Sequence, residues 1–401
     1  MSSKTFSHVL SRNKVFPKTL AHWFLALFVF LATAGCISAE SEFRGAWVTA
    51  WTPGFFNSEE IDGTIAAAKK AGLNALFIQV RKNGDAYYNS QTEPKGAGIE
   101  CDFDPLGVFI KKAHAAGIEV HAWVNTLRMW SSKEYPTDPK HIVNRHPEWI
   151  NKDKDGNTRA SEGLYLDPGI PEVRAYIVGI IEEIVKNYDV DGIHLDYIRY
   201  PGKNWGYSDL ALKKFWDETG TTTKPAPDDA KWFQWKREQV TRLVREIRQR
   251  VKQIKPRIVV SASTVAWGDR PDNFAASSPF AVVCQDWKTW LAEGLLDANC
   301  PMNYKQESNP KQAASFRNWL VGFKQWSSGK PTYVGIDVHS NSVSDVIKQI
   351  DAVRKSGLDG FVLFSFNESK RRNAIAEAIG KTSITRSAFA RPQQCSAALH
   401  Q

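Results

Sequence analysis

The sequence predicts an α/β protein: a (β/α)8 TIM barrel with long insertions after strands three and four. Three observations lead there. Eight short apolar runs alternate with helical stretches along the 401 residues. A recurring joint precedes several of these runs: a helical stretch ends in a turn, a hydrophobic residue follows, and a small polar residue opens the run. Finally, no glycine-rich phosphate loop follows the first run, where a doubly wound sheet would carry one. Residues 51–57 read WTPGFFN.

The joints are Ala71-Gly72-Leu73-Asn74, Ala116-Gly117-Ile118-Glu119, Tyr188-Asp189-Val190-Asp191, Glu293-Gly294-Leu295-Leu296-Asp297 and Ser356-Gly357-Leu358-Asp359. Glycine just past a helix end takes the left-handed conformation that other residues resist. A helix handing over to a buried apolar run is the αβ joint of a parallel sheet. The strands are expected at 44–51, 74–81, 118–125, 191–197, 257–264, 297–304, 332–338 and 360–366. The clearest helices fall at 58–71, 105–116, 171–187, 229–254, 311–324 and 343–356. Ser58, Asp104-Pro105 and Pro171 mark helix starts. The barrel domain spans 43–370, with insertions at 126–170 and 198–228. Both insertions leave C-terminal strand ends, where barrel enzymes build their sites. Residues 382–401 read as a flexible tail.

Hydrophobic residues make up 42% and charged residues 24%, which fits a globular protein. The 15 tryptophans exceed what a core needs, so some are expected to line a groove for sugar rings. The net charge of +9 draws on Lys4, Arg12, Lys14 and Lys18 near the start and on Lys381, Arg386 and Arg391 near the end. No basic run interleaves with aromatics, so nucleic acid is not an expected partner; weak attraction to an anionic surface is.

Residues 1–19 are polar and basic, and Leu20–Gly35 is apolar apart from His22. That layout is a secretory signal, shorter than the ~20 apolar residues of a membrane span. Thr33-Ala34-Gly35-Cys36 resembles a bacterial lipobox, with Thr33 at the usual leucine position. Acylation of Cys36 would anchor the protein to a membrane; cleavage after Ala34 or Ala39 would release it. Either way the chain is expected outside the cytoplasm, as a periplasmic protein or an outer-membrane lipoprotein. The other cysteines are Cys101, Cys284, Cys300 and Cys395, with no C-x-x-C pair to suggest zinc. An oxidising compartment would permit a Cys284–Cys300 bridge; buried free thiols are the alternative.

Alternate residues of a strand share a face. Strand four, DGIHLDYIRYP, therefore puts His194 and Asp196 on one side, with Asp196 at the mouth and Arg199 and Tyr200 just beyond. A carboxylate there is costly to bury unless it is paired, so a functional role is expected. Strand three offers His121, Trp123 and Asn125. Strand two offers Gln79 and Arg81, with Asp85 beyond. Strand one offers Trp47, Thr49 and Trp51. Strand six ends in Asn303 and Tyr304, with Glu307 following. Strand seven ends in Asp337 and His339, and strand eight in Ser365, Asn367 and Glu368. Polar and aromatic groups thus gather at one rim.

Glycosidases need two carboxyls flanking the scissile bond, one protonated and one ionised. Asp196 is the expected first. Glu307 and Asp337 are the leading candidates for the second, because both follow strands across the barrel. Asp85 is a weaker one, since its closeness to Arg81 suits a salt-bridged binding role. Trp47, Gln79, Arg81, Asp85, His121, Trp123, Asn125, His194, Arg199, Tyr200 and Tyr304 are expected to contact substrate, with Trp123 and Tyr304 stacking on sugar rings. Trp130, Trp149, Trp205 and Tyr207 would wall an extended groove. Arg81, Arg199 and Lys203 would meet carboxylates of muramic acid. No cofactor is expected. Two other classes compete: a metal-dependent deacetylase using His121, His194 and Asp196, and an inactive sugar-binding barrel.

FRGAWVTAW, the QVR and GDAYY stretch, HAWVN, HPEWI, LYLDPGIPEVR and DGIHLDYIRYP together resemble glycosyl-hydrolase-like family ten. The resemblance covers about 43–370. It implies a bacterial envelope barrel, often a lipoprotein, with glycosidase activity that in some members acts on peptidoglycan glycan strands. Strand four is also similar to that of α-amylase-type barrels, where the residue at the place of Asp196 is the nucleophile. Here His194 replaces the arginine of that pattern, and RIVVSAST in strand five supplies no glutamic acid. Many similar sequences carry a second aspartate after Asp196, where this one has Tyr197.

Overall fold

The structure, a computed structural model, describes residues 42–367 and 369–381. The segment read as an export signal, Cys36, Glu368, Cys395 and the stretch 382–401 read as a tail lie outside the described residues. In chain order the strands are β1 (Phe43–Val48), β2 (Ala75–Arg81), β3 (Glu119–Asn125), β4 (Arg128–Trp130), β5 (Arg159–Ala160), β6 (Gly163–Tyr165), β7 (Gly192–Asp196), β8 (Val259–Val265), β9 (Ala298–Met302), β10 (Tyr333–Asp337) and β11 (Gly360–Phe364). Eight of them, β1-β2-β3-β7-β8-β9-β10-β11, close into a parallel barrel, with β11 returning to β1. This is a TIM barrel. The three short strands β4, β5 and β6 form a separate antiparallel sheet inside the 126–170 insertion.

Each barrel strand falls on an expected apolar run, and several leave the ladder sooner than expected. Thr49–Trp51 and Asn303–Tyr304 lie beyond the ends of β1 and β9, on the rim. The helix Ser58–Ala71 is capped by Asn57, whose side chain accepts the Glu60 N–H at 2.9 Å, and it stops at Gly72, which has φ 67°. Five α-helices among the described residues lie outside the expected ranges: the short Ile142–Arg145, Ser278–Ala281 and Trp287–Ala292, Asp209–Thr219 within the second insertion, and Lys370–Gly380, which packs on Ser58–Ala71.

Alternation along the strands makes two cores. Outward-facing residues such as Ala46, Val48, Leu76 and Ile78 join one large apolar layer under the helices. Inward-facing Trp47, Phe77, Trp123, Cys300 and Val362 fill the barrel itself. Glycines make room for the largest of these side chains. A Cβ on Gly335 would lie 3.1 Å from the Trp47 indole, and one on Gly192 only 2.0 Å from His121 Nδ1. The closed end is plugged by Phe43 stacked on Tyr333 at 3.8 Å. The two cores also decide between the two cysteine alternatives. Cys300 faces the barrel interior while Cys284 lies in the outer layer, so the two are buried free thiols.

Candidate active site

At the C-terminal mouth of the barrel lies a cavity of about 320 Å³. Its floor is aromatic. Trp47, Trp123, Tyr304 and Phe364 line it, with Tyr304 stacked on Phe364 at 5.2 Å and edge-on to Trp47 at 6.5 Å. His194 holds that floor from below. Its Nε2 accepts the Trp47 indole N–H at 3.0 Å, so its proton sits on Nδ1, which donates to Ser261 Oγ at 2.9 Å. Burial, with His121 nearby, pushes the His194 pKa well below the usual range. It is a neutral strut that fixes the Trp47 ring.

Asp196 ends β7 and is 5% exposed. The Thr126 amide and hydroxyl both donate to its backbone carbonyl at 2.8 Å, which fixes the strand end against β3. Its carboxyl accepts the Trp123 indole N–H at 3.0 Å and the Tyr197 amide at 2.7 Å. Burial raises its pKa above the ordinary aspartate value, although the Tyr197 amide, Arg199, Arg128 and Trp123 all pull the other way.

A second carboxyl lines the same cavity. Glu162, in the first insertion, accepts both Nη groups of Arg199 at 3.1 Å and the Tyr165 hydroxyl at 2.7 Å. Burial alone would raise its pKa, but Arg199 and Tyr165 outweigh that and hold it below the usual carboxylate range. One cavity therefore holds a carboxyl biased toward its neutral form and another held ionised. Exposed Trp51 and Trp267 stand at the mouth, beyond the ends of β1 and β8.

The family description "Glycosyl hydrolase-like 10" matches residues 42–352. The chain belongs to this family. Among relatives it is similar to Glycosyl hydrolase YngK of Bacillus subtilis, with 29% identity over 270 residues, 64% of this chain and 48% of that protein. It is also similar to Glycosyl hydrolase DigH of Escherichia coli K12, with 27% identity over 298 residues, 67% of this chain and 63% of that protein. The chain thus spans from about half to under two thirds of the length of these relatives. Among solved structures, the glycoside hydrolase domain of PgaB (BpsB) from Bordetella bronchiseptica gives a TM-score of 0.61 at 14% identity, covering 85% of this chain and all of that domain. The catalytic domain of a Paenibacillus polymyxa β-amylase gives 0.59 at 13% identity, covering 86% and 98%. These two likenesses concern the fold alone.

In this glycosyl hydrolase-like 10 barrel, Asp196, Trp47, Gln79, Trp123, Arg199 and Tyr304 converge on the cavity, as do Thr49 and Trp51. The other expected site residues serve elsewhere. Glu307 is paired with Arg317, its side chain 7% exposed. Asp337 accepts from the His339 amide at 2.8 Å and from the Ser340 hydroxyl. Arg81 is spent on Glu93, with 2.6 and 2.7 Å contacts. Asp85 caps the Asn83 amide at 2.7 Å. Asn125 joins Gln79 to the Lys82 carbonyl, so both amides tie the rim together. Tyr200 is buried with its hydroxyl on Asp167 at 3.1 Å. His121 lies over Gly192, deeper in the barrel, with Phe77 between it and His194. His121, His194 and Asp196 therefore do not converge, and among the described residues no three His, Cys, Asp or Glu gather as metal ligands.

The groove tryptophans also fall elsewhere. Trp130 donates to the Glu134 carbonyl, Trp149 stacks on His146 at 3.9 Å, and Tyr207 packs on Trp232. Lys203 is exposed, away from the cavity. In their place the cavity is lined by Arg128, Glu162, Tyr197, Ser263, Trp267 and Lys305. Ser263 and Trp267 were within reach of strand alternation and of the rule that sites follow strand ends. Arg128 and Glu162 were not, because they come from the insertion.

Proposed function

We propose that this protein is a glycoside hydrolase of the cell envelope that cleaves peptidoglycan glycan strands by acid–base catalysis with Asp196 and Glu162. The observation that carries the reading is the pair of carboxyls lining one aromatic-floored cavity with opposite protonation preferences. Asp196, whose protonated form burial favours, donates its proton to the glycosidic oxygen as the bond to the anomeric carbon breaks. Glu162, kept ionised by Arg199, offsets the positive charge that builds on that carbon. Water completes the reaction, its hydroxyl going to the anomeric carbon and its remaining proton to a carboxylate. The apolar faces of Trp47, Trp123, Tyr304 and Phe364 suit the C–H faces of sugar rings.

The envelope assignment draws on the basic-then-apolar segment before residue 36, read as an export signal with Cys36 as an acylation site. Outside the cytoplasm, peptidoglycan is the abundant glycan. The test is incubation of the purified mature protein with amylose, chitin oligomers and peptidoglycan strands with and without peptide stems. Fragments should appear from peptidoglycan strands and not from amylose, and Asp196→Asn should slow their release at least about a hundredfold. Release from amylose alone would refute the substrate. Glycan binding without turnover, unchanged in Asp196→Asn, would mark a binding barrel instead.

A further inference from the structure

We propose that Arg128, together with Lys82 and the exposed surface of Trp51, forms an anion subsite at the lip of the cavity that holds a carboxylate substituent of the glycan. The proposal rests on reading the cavity as a glycan cleft. Arg128 sits on β4 in the first insertion, lines the cavity and is 7% exposed. Its side chain makes no hydrogen bond or ion pair with any of the described residues, and its Nε is buried without a partner. The barrel's other buried arginines near the mouth differ. Arg199 has both Nη groups on Glu162, and Arg81 is forked onto Glu93. A buried N–H without an acceptor is unfavourable, and the Nη groups beside it have no hydrogen-bond partner among the described residues. A group so placed at the wall of a cavity is completed by what enters it.

The surroundings define the missing partner. The Arg128 guanidinium lies 4.4 Å from the Tyr197 ring centroid and 5.5 Å from that of Trp51. Arg199 lies 4.8 Å from the same Tyr197 ring. Aromatic rings therefore hold the position of the planar fork while its N–H edge stays free. That edge matches the two oxygens of a carboxylate. Behind Trp51, outside the cavity lining, Lys82 adds a second positive charge partly offset by Asp85, its Nζ 4.7 Å from the Trp51 ring centroid and one of its protons on the Ala50 carbonyl at 2.9 Å. Trp51, 48% exposed, offers a surface on which the sugar bearing the acid can rest. Glu162 and Asp196 feel the charge of Arg128, but their carboxyl oxygens accept from Arg199, Tyr165, Trp123 and the Tyr197 amide, and neither reaches its N–H groups.

A carboxylate on a sugar has two sources: an ether-linked lactyl group, as on a stem-free peptidoglycan strand, or the ring carboxyl of a uronic acid. The test is equilibrium binding, in an Asp196→Asn background that slows turnover, of a stem-free peptidoglycan strand, a β-linked uronate oligomer and a neutral chitin oligomer. At least one acidic oligomer should bind about tenfold or more tightly than chitin, with that advantage shrinking as salt rises. Adding Arg128→Met should erase the advantage and leave chitin binding within about twofold. Arg128→Lys, which keeps the charge without the fork, should retain part of it, and it guards against a folding failure of the methionine variant. The acidic oligomer preferred identifies the source. Equal binding of acidic and neutral oligomers, or equal loss on all three in Arg128→Met, would overturn the subsite. If the preference depends on Arg128 but the wild-type protein cleaves none of the three, the hydrolase reading fails and the subsite stands.

Discussion

Asp196 and Glu162 line one cavity yet their pKa values are shifted in opposite directions, and the difference lies in what each touches. Asp196 is buried among rings with two N–H donors on its carboxyl and no direct cation. Glu162 has a guanidinium across both oxygens. If Asp196 must be protonated, activity is lost as pH rises through its raised pKa. If Glu162 must be ionised, activity is lost as pH falls through its lowered pKa. A bell-shaped profile of kcat/KM follows. In Arg199→Met the acid limb should move to higher pH, because the charge holding Glu162 ionised is gone. A profile whose acid limb does not move in that variant would remove Glu162 from the pair. Asp196→Asn should lower kcat by about 10²–10⁴-fold, as loss of a general acid does. Saturating kinetics on stem-free strands measures it.

At the scale of elements, the strands build the floor, while the first insertion supplies Arg128 and Glu162 to the wall, the second supplies Arg199, and the loops after β1, β8 and β9 supply most of the rest. Trp51 and Trp267 stand at the mouth, exposed by 48% and 42%, so little stability depends on them. Alanine at either should raise KM by about three- to tenfold with kcat and melting temperature nearly unchanged. Trp123 is the contrasting case. It is 4% exposed and its indole holds Asp196, so Trp123→Ala should cost about 3–5 kcal/mol of stability, measured by denaturant unfolding. The two insertions are joined at Asp167, which is fully buried. It accepts from the Ser208 hydroxyl at 2.8 Å, the Tyr200 hydroxyl at 3.1 Å and the Gly169 amide at 3.0 Å. Asp167→Ala leaves three donors without an acceptor and should destabilise by about 3 kcal/mol, seen as a lowered urea midpoint.

Over the whole molecule, the barrel wall separates two cores, and a cysteine sits in each. Cys284 and Cys300 should therefore resist a thiol reagent until the protein unfolds, while exposed Cys101 should react at once. Peptide mass mapping after native and denatured labelling distinguishes the three. A reductant should leave the melting temperature unchanged; a drop would reveal a bridge between these thiols.

Much of this architecture is written in local pattern. Eight apolar runs, the glycine-marked joints and the helix starts at Pro105 and Pro171 determine the barrel, because strand burial and capping depend on neighbours within a few residues. Strand alternation likewise determines that Trp47, Gln79, Trp123 and Asp196 face one mouth. Alternation cannot say how deep a residue lies or what it meets. It gave His121 and Asp196 the same face, although His121 lies deeper, over Gly192. Nor can it weigh partners that lie on other elements. Arg81 found Glu93, Glu307 found Arg317, and Tyr200 found Asp167, each of which takes the group out of the cavity. Glu162 and Arg128 lie in an insertion with no strand period to read, and only the folded sheet β4-β6-β5 brings them to the mouth beside Asp196. Local periodicity determined the scaffold, and long-range packing decided which charges are spent inside it and which remain for a substrate.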